Sequence, residues 1–166
     1  MTSSITPPTE EAQQAVIKAA DVGFGMAGGD KRLLELVKTS LQGVGAELAR
    51  QVRPGERANV FVPVAAVHDG KSDPGALLLL DDRVVIAWIE GTFRPKQRSV
   101  TVALADISNV STGTSNQGRF SPYEAAITFL AGGAKHEFVL ASRASHDRLT
   151  MIISSALSGA LTFTAD

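Results

Sequence analysis

The stretch Ala76–Ile89, ALLLLDDRVVIAWI, decides the fold. Two apolar runs flank Asp81-Asp82, and a polar pair in that setting reads as a tight turn between two strands. A strand with one wet face alternates apolar and polar residues. Here Leu77, Leu78, Leu79 and Leu80 are all apolar, and so are Val84, Val85, Ile86, Ala87, Trp88 and Ile89. A hairpin that is apolar on both faces has to be covered on both. One cover is the interior of its own sheet or barrel. The other comes from elsewhere in the chain or from a second copy.

Upstream, Thr9 stands where it can cap a helix opening with Glu10-Glu11, acidic at the positive end of the helix dipole. Ala12, Ala15, Val16, Ala19 and Val22 recur at helical spacing, and Gly23, Gly25, Gly28 and Gly29 are expected to end that helix. Asp30 is placed to cap a second helix. Its stripe is Leu33, Leu34, Val37, Leu41, Val44 and Leu48, with Lys31, Arg32, Glu35, Lys38 and Glu47 mostly off it. Gly43 and Gly45 weaken this helix by about 1 kcal/mol each relative to Ala, but they let another backbone come close. Pro54-Gly55 stops it. Residues 1–9 are then a tail and 10–53 a helical hairpin. Burying a large aliphatic side chain contributes about 1.5–3 kcal/mol. Leaving Leu33, Leu34, Val37, Leu41 and Leu48 wet would forfeit on the order of 10 kcal/mol. The hairpin is therefore expected on the outer face of the sheet that holds Leu77–Ile89, unless a neighbouring molecule covers the same surface.

From Glu56 the pattern is one of short strands. Val60, Val62 and Val64 alternate with Phe61 and Pro63, and Pro63, with no N–H, marks an edge, a bulge or a bend. His68–Gly75 reads as a loop before the apolar hairpin, and Gly91–Gln97 as a loop after it. Val100, Val102 and Leu104 point inward from the next strand, Asp106 turns the chain, and Ile107–Thr112 follows. Beyond the polar 111–122 connection, Ala125, Ile127 and Phe129 alternate, Gly132-Gly133 turns, and His136, Phe138 and Leu140 oppose Lys135, Glu137 and Val139. A last helix starts near Arg143, capped by Ser142 or Ser145. Its apolar side is Leu149, Ile152, Ile153, Ala156, Leu157 and Ala160, and its polar side Asp147, Arg148, Thr150, Ser154 and Ser158.

Composition bounds the function. The formal net charge over 166 residues is -1, with no strongly charged tail to meet nucleic acid or anionic lipid. The absence of cysteine excludes disulfides and thiolate metal sites. Residues 1–9 have no secretory pattern, and no apolar run approaches the roughly 20 residues of a membrane helix. The expectation is a cytoplasmic protein.

Seven antiparallel strands closed by an amphipathic C-terminal helix are the plan of a pleckstrin-homology-like (PH-like) barrel, an α+β fold. The residues carry the likeness further. Leu78-Leu79-Leu80-Asp81-Asp82-Arg83-Val84-Val85 resembles the hairpin of bacterial PH-like and GRAM-type domains. Val102-Ala103-Leu104-Ala105-Asp106-Ile107-Ser108-Asn109-Val110 is similar to their link between the fourth and fifth strands, and Phe138-Val139-Leu140 to their ending. The resemblance covers about residues 55–161, so that 54–161 reads as the barrel with its helix. It implies a binding or assembly module and not a catalyst, and in some members an oligomer.

Candidate chemistry is sparse. Gly23-Phe24-Gly25-Met26-Ala27-Gly28 matches G-x-G-x-x-G, but a dinucleotide site needs a strand before it and a βαβ unit around it. A helix stop explains these glycines better, and no cofactor is expected. His68, His136 and His146 have no helical zinc-site spacing, so no metal site is expected either. Asp81-Asp82 is better explained as a turn than as an acid/base pair, and no nucleophile elbow is present. If the strand order is PH-like, three loops at the open end bring together Lys71, Arg94, Lys96, Arg98 and Lys135, opposed by Asp69, Asp73 and Glu90. Such cations hold phosphate through charge-assisted bonds. A surplus of about two charges supplies only about 2 kcal/mol toward an anionic membrane, against about 8 kcal/mol for a micromolar complex. The leading expectation is accordingly a protein-binding module, able to associate with itself through Leu33, Leu34, Val37, Leu41 and Trp88. Binding of a phospholipid headgroup or small anion is the alternative.

Overall fold

The structure, a computed structural model, describes residues 7–26, 31–68, 71–91, 93–114, 123–141 and 148–159. Two helices, α1 (Glu10–Met26) and α2 (Lys31–Arg50), precede β1 (Val60–His68), β2 (Lys71–Leu79), β3 (Arg83–Glu90) and β4 (Lys96–Ala103). A single 3-10 turn, Leu104–Asp106, leads to β5 (Ile107–Thr114), β6 (Tyr123–Ala131), β7 (Ala134–Ala141) and α3 (Arg148–Leu157). All pairings are antiparallel, in the order β4-β3-β2-β1-β7-β6-β5. The sheet curls on itself, with side chains from both halves meeting in one inner core, but β4 and β5 do not pair. This is a PH-like α+β architecture whose barrel is left open along one seam.

The β2–β3 hairpin is covered on both faces within the chain. Leu77, Leu79, Val84 and Ile86 point into the curl, against Ile127, Phe129, Phe138 and Ile153. Leu78, Leu80, Val85 and Ala87 point the other way and pack with Val16, Leu33, Val37, Val44 and Leu48 of the two helices. The helical hairpin therefore docks where expected, and the hairpin's second face needs no neighbouring molecule. Helices and sheet share this outer core.

Local chemistry explains most element ends. Thr9 Oγ1 accepts the Ala12 N–H at 3.1 Å, the cap expected from the sequence. Gly132 and Gly133 both have positive φ, 57° and 83°, as a two-residue hairpin turn demands. β7 pairs with β1 only from Val64 onward, so Pro63 lies just outside that ladder.

Several expectations are corrected. Gly23 and Gly25 do not end α1; they lie inside it. A Cβ on Gly23 would stand 2.2 Å from the Phe61 carbonyl oxygen, so it is Gly23 that lets helix and strand approach. Gly43 and Gly45, expected to serve that purpose, meet no backbone; an added Cβ would touch only the side chains of Ile89 and Leu41. The buried face of α1 is Ala12, Val16, Ala19 and Ala20, whereas Val22 is 43 % exposed. Residues 68 and 71–75 are not loop: they end β1 and begin β2, paired from His68↔Lys71 onward. Likewise Lys96 and Gln97 already belong to β4. Leu104 is in the 3-10 turn, and Thr150, expected on the polar side of α3, is buried. Gly28, Gly29, Asp30, Asp69, Phe120, Ser142, Arg143, Ser145, His146, Asp147 and Ala160 lie outside the described residues.

A polar clasp holds the helical hairpin to the strands. Arg83 is only 7 % exposed. Its Nη1 and Nη2 donate to the two Glu56 carboxylate oxygens, both at 2.6 Å. Nη1 also reaches Asp82 Oδ1 at 2.7 Å, and Nη2 reaches the Gln51 carbonyl, just past α2, at 2.5 Å. Beside it, Asn59 Nδ2 donates to Asp81 Oδ1 at 2.7 Å. Asp81 and Asp82 thus serve the turn, as the sequence suggests. The hydrogen bond from Arg83 holds the Glu56 carboxyl below its ordinary value of 4.5, and likewise Asp82 below 3.8.

Gly23→Ala forces α1 off Phe61 and costs about 1–3 kcal/mol, while Gly25→Ala, which meets open space, is neutral or gains up to about 1 kcal/mol; chemical denaturation measures both. Arg83→Met strands a carboxylate and a carbonyl, and costs about 3–5 kcal/mol at neutral pH. Because folding lowers the Glu56 pKa, its contribution is complete above 4.5 and lost as pH falls through the folded value. The wild-type melting temperature should therefore drop below that pH, and less steeply in Glu56→Gln.

Candidate functional site

Strand register puts three loops at one end of the curled sheet. His68 pairs with Lys71, Glu90 with Lys96, and Ala131 with Ala134, so these three pairs of strand ends lie at the same rim. This is the arrangement expected from the sequence. Alternation then sorts the side chains. Val60, Val62, Val64 and Ala66 of β1 face the inner core, as do Leu77 and Leu79 of β2, Val84 and Ile86 of β3, and Val102 of β4. Continued to the rim, the same parity puts His68, Lys71, Asp73, Trp88, Glu90, Lys96 and Arg98 on the inner face.

Of the five cations expected together, Lys71, Lys96 and Arg98 share that face. Lys135 lies on the outer one, between His136 and Ala134 on a strand whose inner residues are Phe138 and Leu140. Arg94 is exposed in the 91–95 loop. The cations are also not free to act as a set. Arg98 Nε donates to Glu90 Oε2 at 3.0 Å, and the centre of the mouth is acidic. There, His68 Nε2 lies 2.6 Å from Asp73 Oδ2, and its Nδ1 lies 3.7 Å from Glu90 Oε1. The Trp88 ring sits 5.7 Å from the His68 ring, and its buried indole N–H finds no hydrogen-bond partner among the described residues. A cleft of about 700 Å3 opens over these groups, lined by His68, Lys71, Asp73, Pro74, Ile89, Glu90, Gly91 and Pro95. Above it Phe93 is 99 % exposed.

The residues expected to self-associate are divided between the two cores. Leu33 and Val37 are buried under the helices, Leu41 packs against the same core, and Leu34 is half-exposed. Trp88 is on the opposite face, packed against the inner core. Of the other histidines, His136 stacks on Phe129 at 5.1 Å, one residue beyond the Val67↔Glu137 pair of β1 and β7, and His146 lies outside the described residues. Gly23 and Gly25 lie within helix α1.

The His68–Asp73–Glu90 constellation was not legible as a site in the sequence, because 68–75 reads as a loop there. Its signal is a period-2 pattern, His68 with Ala66 and Asp73 with Gly75, visible only once β1 and β2 are known to run that far.

No protein-family model matches the chain, and no curated protein matches it. Solved structures with some likeness include PDZ-RhoGEF DH/PH domains in complex with GTP-gamma-S activated RhoA, at 12 % identity and a TM-score of 0.41, covering 91 % of this chain and 41 % of that one. The complex of human RhoA with the DH/PH fragment of PDZRHOGEF gives 13 % identity and 0.42, covering 89 % and 39 %. A mutant of the p115-RhoGEF DH/PH domains gives 13 % and 0.41, covering 93 % and 43 %. The chain spans about two fifths of the length of these chains, and a likeness at this level assigns no role to any of its residues.

Proposed function

We propose that this chain is a cytoplasmic, non-enzymatic binding module that acts through protein contacts, by adding an extended segment of a partner, or of a second copy, to β4. One observation carries the reading. Among the described residues β4 is paired on one side only, and its eight-residue ladder with β3 is regular throughout. An unpaired edge of this kind is a template for another strand. The other edge, β5, is broken by a bulge between Ser108 and Ser111, where Asn109 takes a φ of 54°. A bulge blunts an edge. No such device interrupts β4.

The hydrogen-bonding phase of β4 follows from its end. Leu104 N–H donates to the Asp82 carbonyl at 2.9 Å, in line with the Arg83↔Ala103 register. Even-numbered residues of β4 therefore bond to β3, and Gln97, Ser99, Thr101 and Ala103 turn their N–H and C=O groups outward. Thr101→Pro removes an outward donor without touching the β3 ladder.

A second reading, attachment to an anionic lipid surface, is favoured by Phe93. A fully exposed aromatic beside Arg94 and Lys96 suits an interface where a ring enters the headgroup layer. The paired Arg98 and the carboxylates in the mouth oppose a headgroup pocket.

For the first reading, extended peptides selected from a displayed library on the wild type should lose binding to Thr101→Pro, with its melting temperature preserved. If the second copy is the partner, the mass by light scattering rises with concentration and Thr101→Pro abolishes the rise. Equal peptide binding by both proteins refutes strand addition. For the second reading, sedimentation with phosphatidylserine vesicles should fall several-fold in a Phe93→Ser, Arg94→Ala, Lys96→Ala variant, and equal sedimentation disposes of it.

A further inference from the structure

We propose that His68, Asp73 and Glu90 form a binding site for a divalent first-row transition-metal ion, with zinc as its representative. The site goes beyond strand addition at β4 and does not depend on it. Three adjacent strands each contribute one donor to the same inner face, and the imidazole nitrogen and two carboxylate oxygens all lie within 4.8 Å of one another. Zinc held at about 2.0–2.2 Å by such ligands brings them to about 3.4 Å apart. Rotation of half-buried side chains covers that difference, and the strands beneath fix the rest.

The arrangement asks for a cation. Asp73 and Glu90, on adjacent strands, bring a carboxylate oxygen of each to within 4.8 Å of the other. Like charges facing each other across a sheet are destabilising. His68 Nε2 makes a hydrogen bond to Asp73, whereas the 3.7 Å approach to Glu90 Oε1 is made by the other ring nitrogen, Nδ1, and is too long for one. Glu90 is itself oriented: Arg98 holds Oε2 and leaves Oε1 turned toward His68. An outer partner of this kind aims a metal-binding carboxylate. The ion would replace the His68–Asp73 hydrogen bond and join Glu90 Oε1 to the same centre.

Ligand chemistry chooses the ion. Calcium wants six to eight oxygen ligands and magnesium an octahedral oxygen shell. One imidazole with two carboxylates suits zinc, manganese or cobalt. Three protein ligands leave a coordination position open toward the 700 Å3 cleft. An anionic or carbonyl group entering the cleft could complete the shell there, with Lys71 on the wall.

The test is calorimetric titration of the full chain with zinc chloride, alongside cobalt quenching of Trp88, the single tryptophan and a neighbour of His68. The expected result is one equivalent of zinc bound and saturable quenching at the same stoichiometry. His68→Gln, Asp73→Asn and Glu90→Gln should each weaken binding by about tenfold or more, while Asp106→Asn, in the 3-10 turn at the other end of β4, leaves it unchanged. Affinity weaker than about millimolar in the wild type overturns the proposal, as does wild-type affinity in His68→Gln or loss of binding in Asp106→Asn. Should a variant fail to fold, manganese broadening of wild-type amide resonances decides: broadening centred on the mouth ends of β1, β2 and β3 supports the site, and broadening centred elsewhere refutes it.

Discussion

The structure depends on one constraint, that the β2–β3 hairpin cannot be wetted on either side. Leu77 to Leu80 and Val84 to Ala87 are all buried. Burial on both faces requires two layers over one sheet, and the chain supplies them in different ways. The sheet bends round to cover the inner face with its own second half and α3. The outer face is covered by two helices placed ahead of the strands in sequence. Each layer in turn dictates local detail: a glycine where α1 crosses Phe61, another at Gly75 where β2 meets β3 so closely that a Cβ would stand 1.9 Å from the Ala87 carbonyl oxygen.

This division of labour bears on how the molecule meets others. The most apolar surface is consumed inside the monomer, so it offers no reason for a second copy. What remains available is of another kind: hydrogen-bonding backbone along β4, a bare phenylalanine above the rim, and a polar cluster below it. Phe93 and the polar cluster belong to the rim away from the clasp at Arg83, whereas β4 runs from that rim down to Ala103, directly opposite Arg83.

The fold was legible because the burial signals were long and redundant. Ten apolar residues around one turn, and a helical stripe from Leu33 to Leu48, admit few arrangements. The errors fall where a signal was short or double-edged. Gly23 and Gly25 were read as a stop, since glycine both ends helices and permits close packing, and only the position of Phe61 distinguishes the two. Lys71, Ser72 and Asp73 carry no apolar alternation, so the polar start of β2 looks like loop; its strand character comes from pairing with β1. The same error hid the mouth cluster. By charge alone Asp73 and Glu90 merely oppose the cations, whereas the folded sheet brings a carboxylate oxygen of each within 4.8 Å of the His68 imidazole. The clasp was hidden differently: nothing in the spacing of Glu56 and Arg83 announces a bidentate pair 27 residues apart.

The Arg83 guanidinium has a consequence for motion. It joins the chain just past α2 to the strand hairpin through a charge that is almost wholly out of water. Peeling the two helices from the sheet would strip that cation of its partners and wet both leucine-rich surfaces at once. The helices are therefore poor candidates for a detachable arm, and helices and central strands should open as a single cooperative unit. Hydrogen exchange in α2 and in β3 should then report the same free energy of opening.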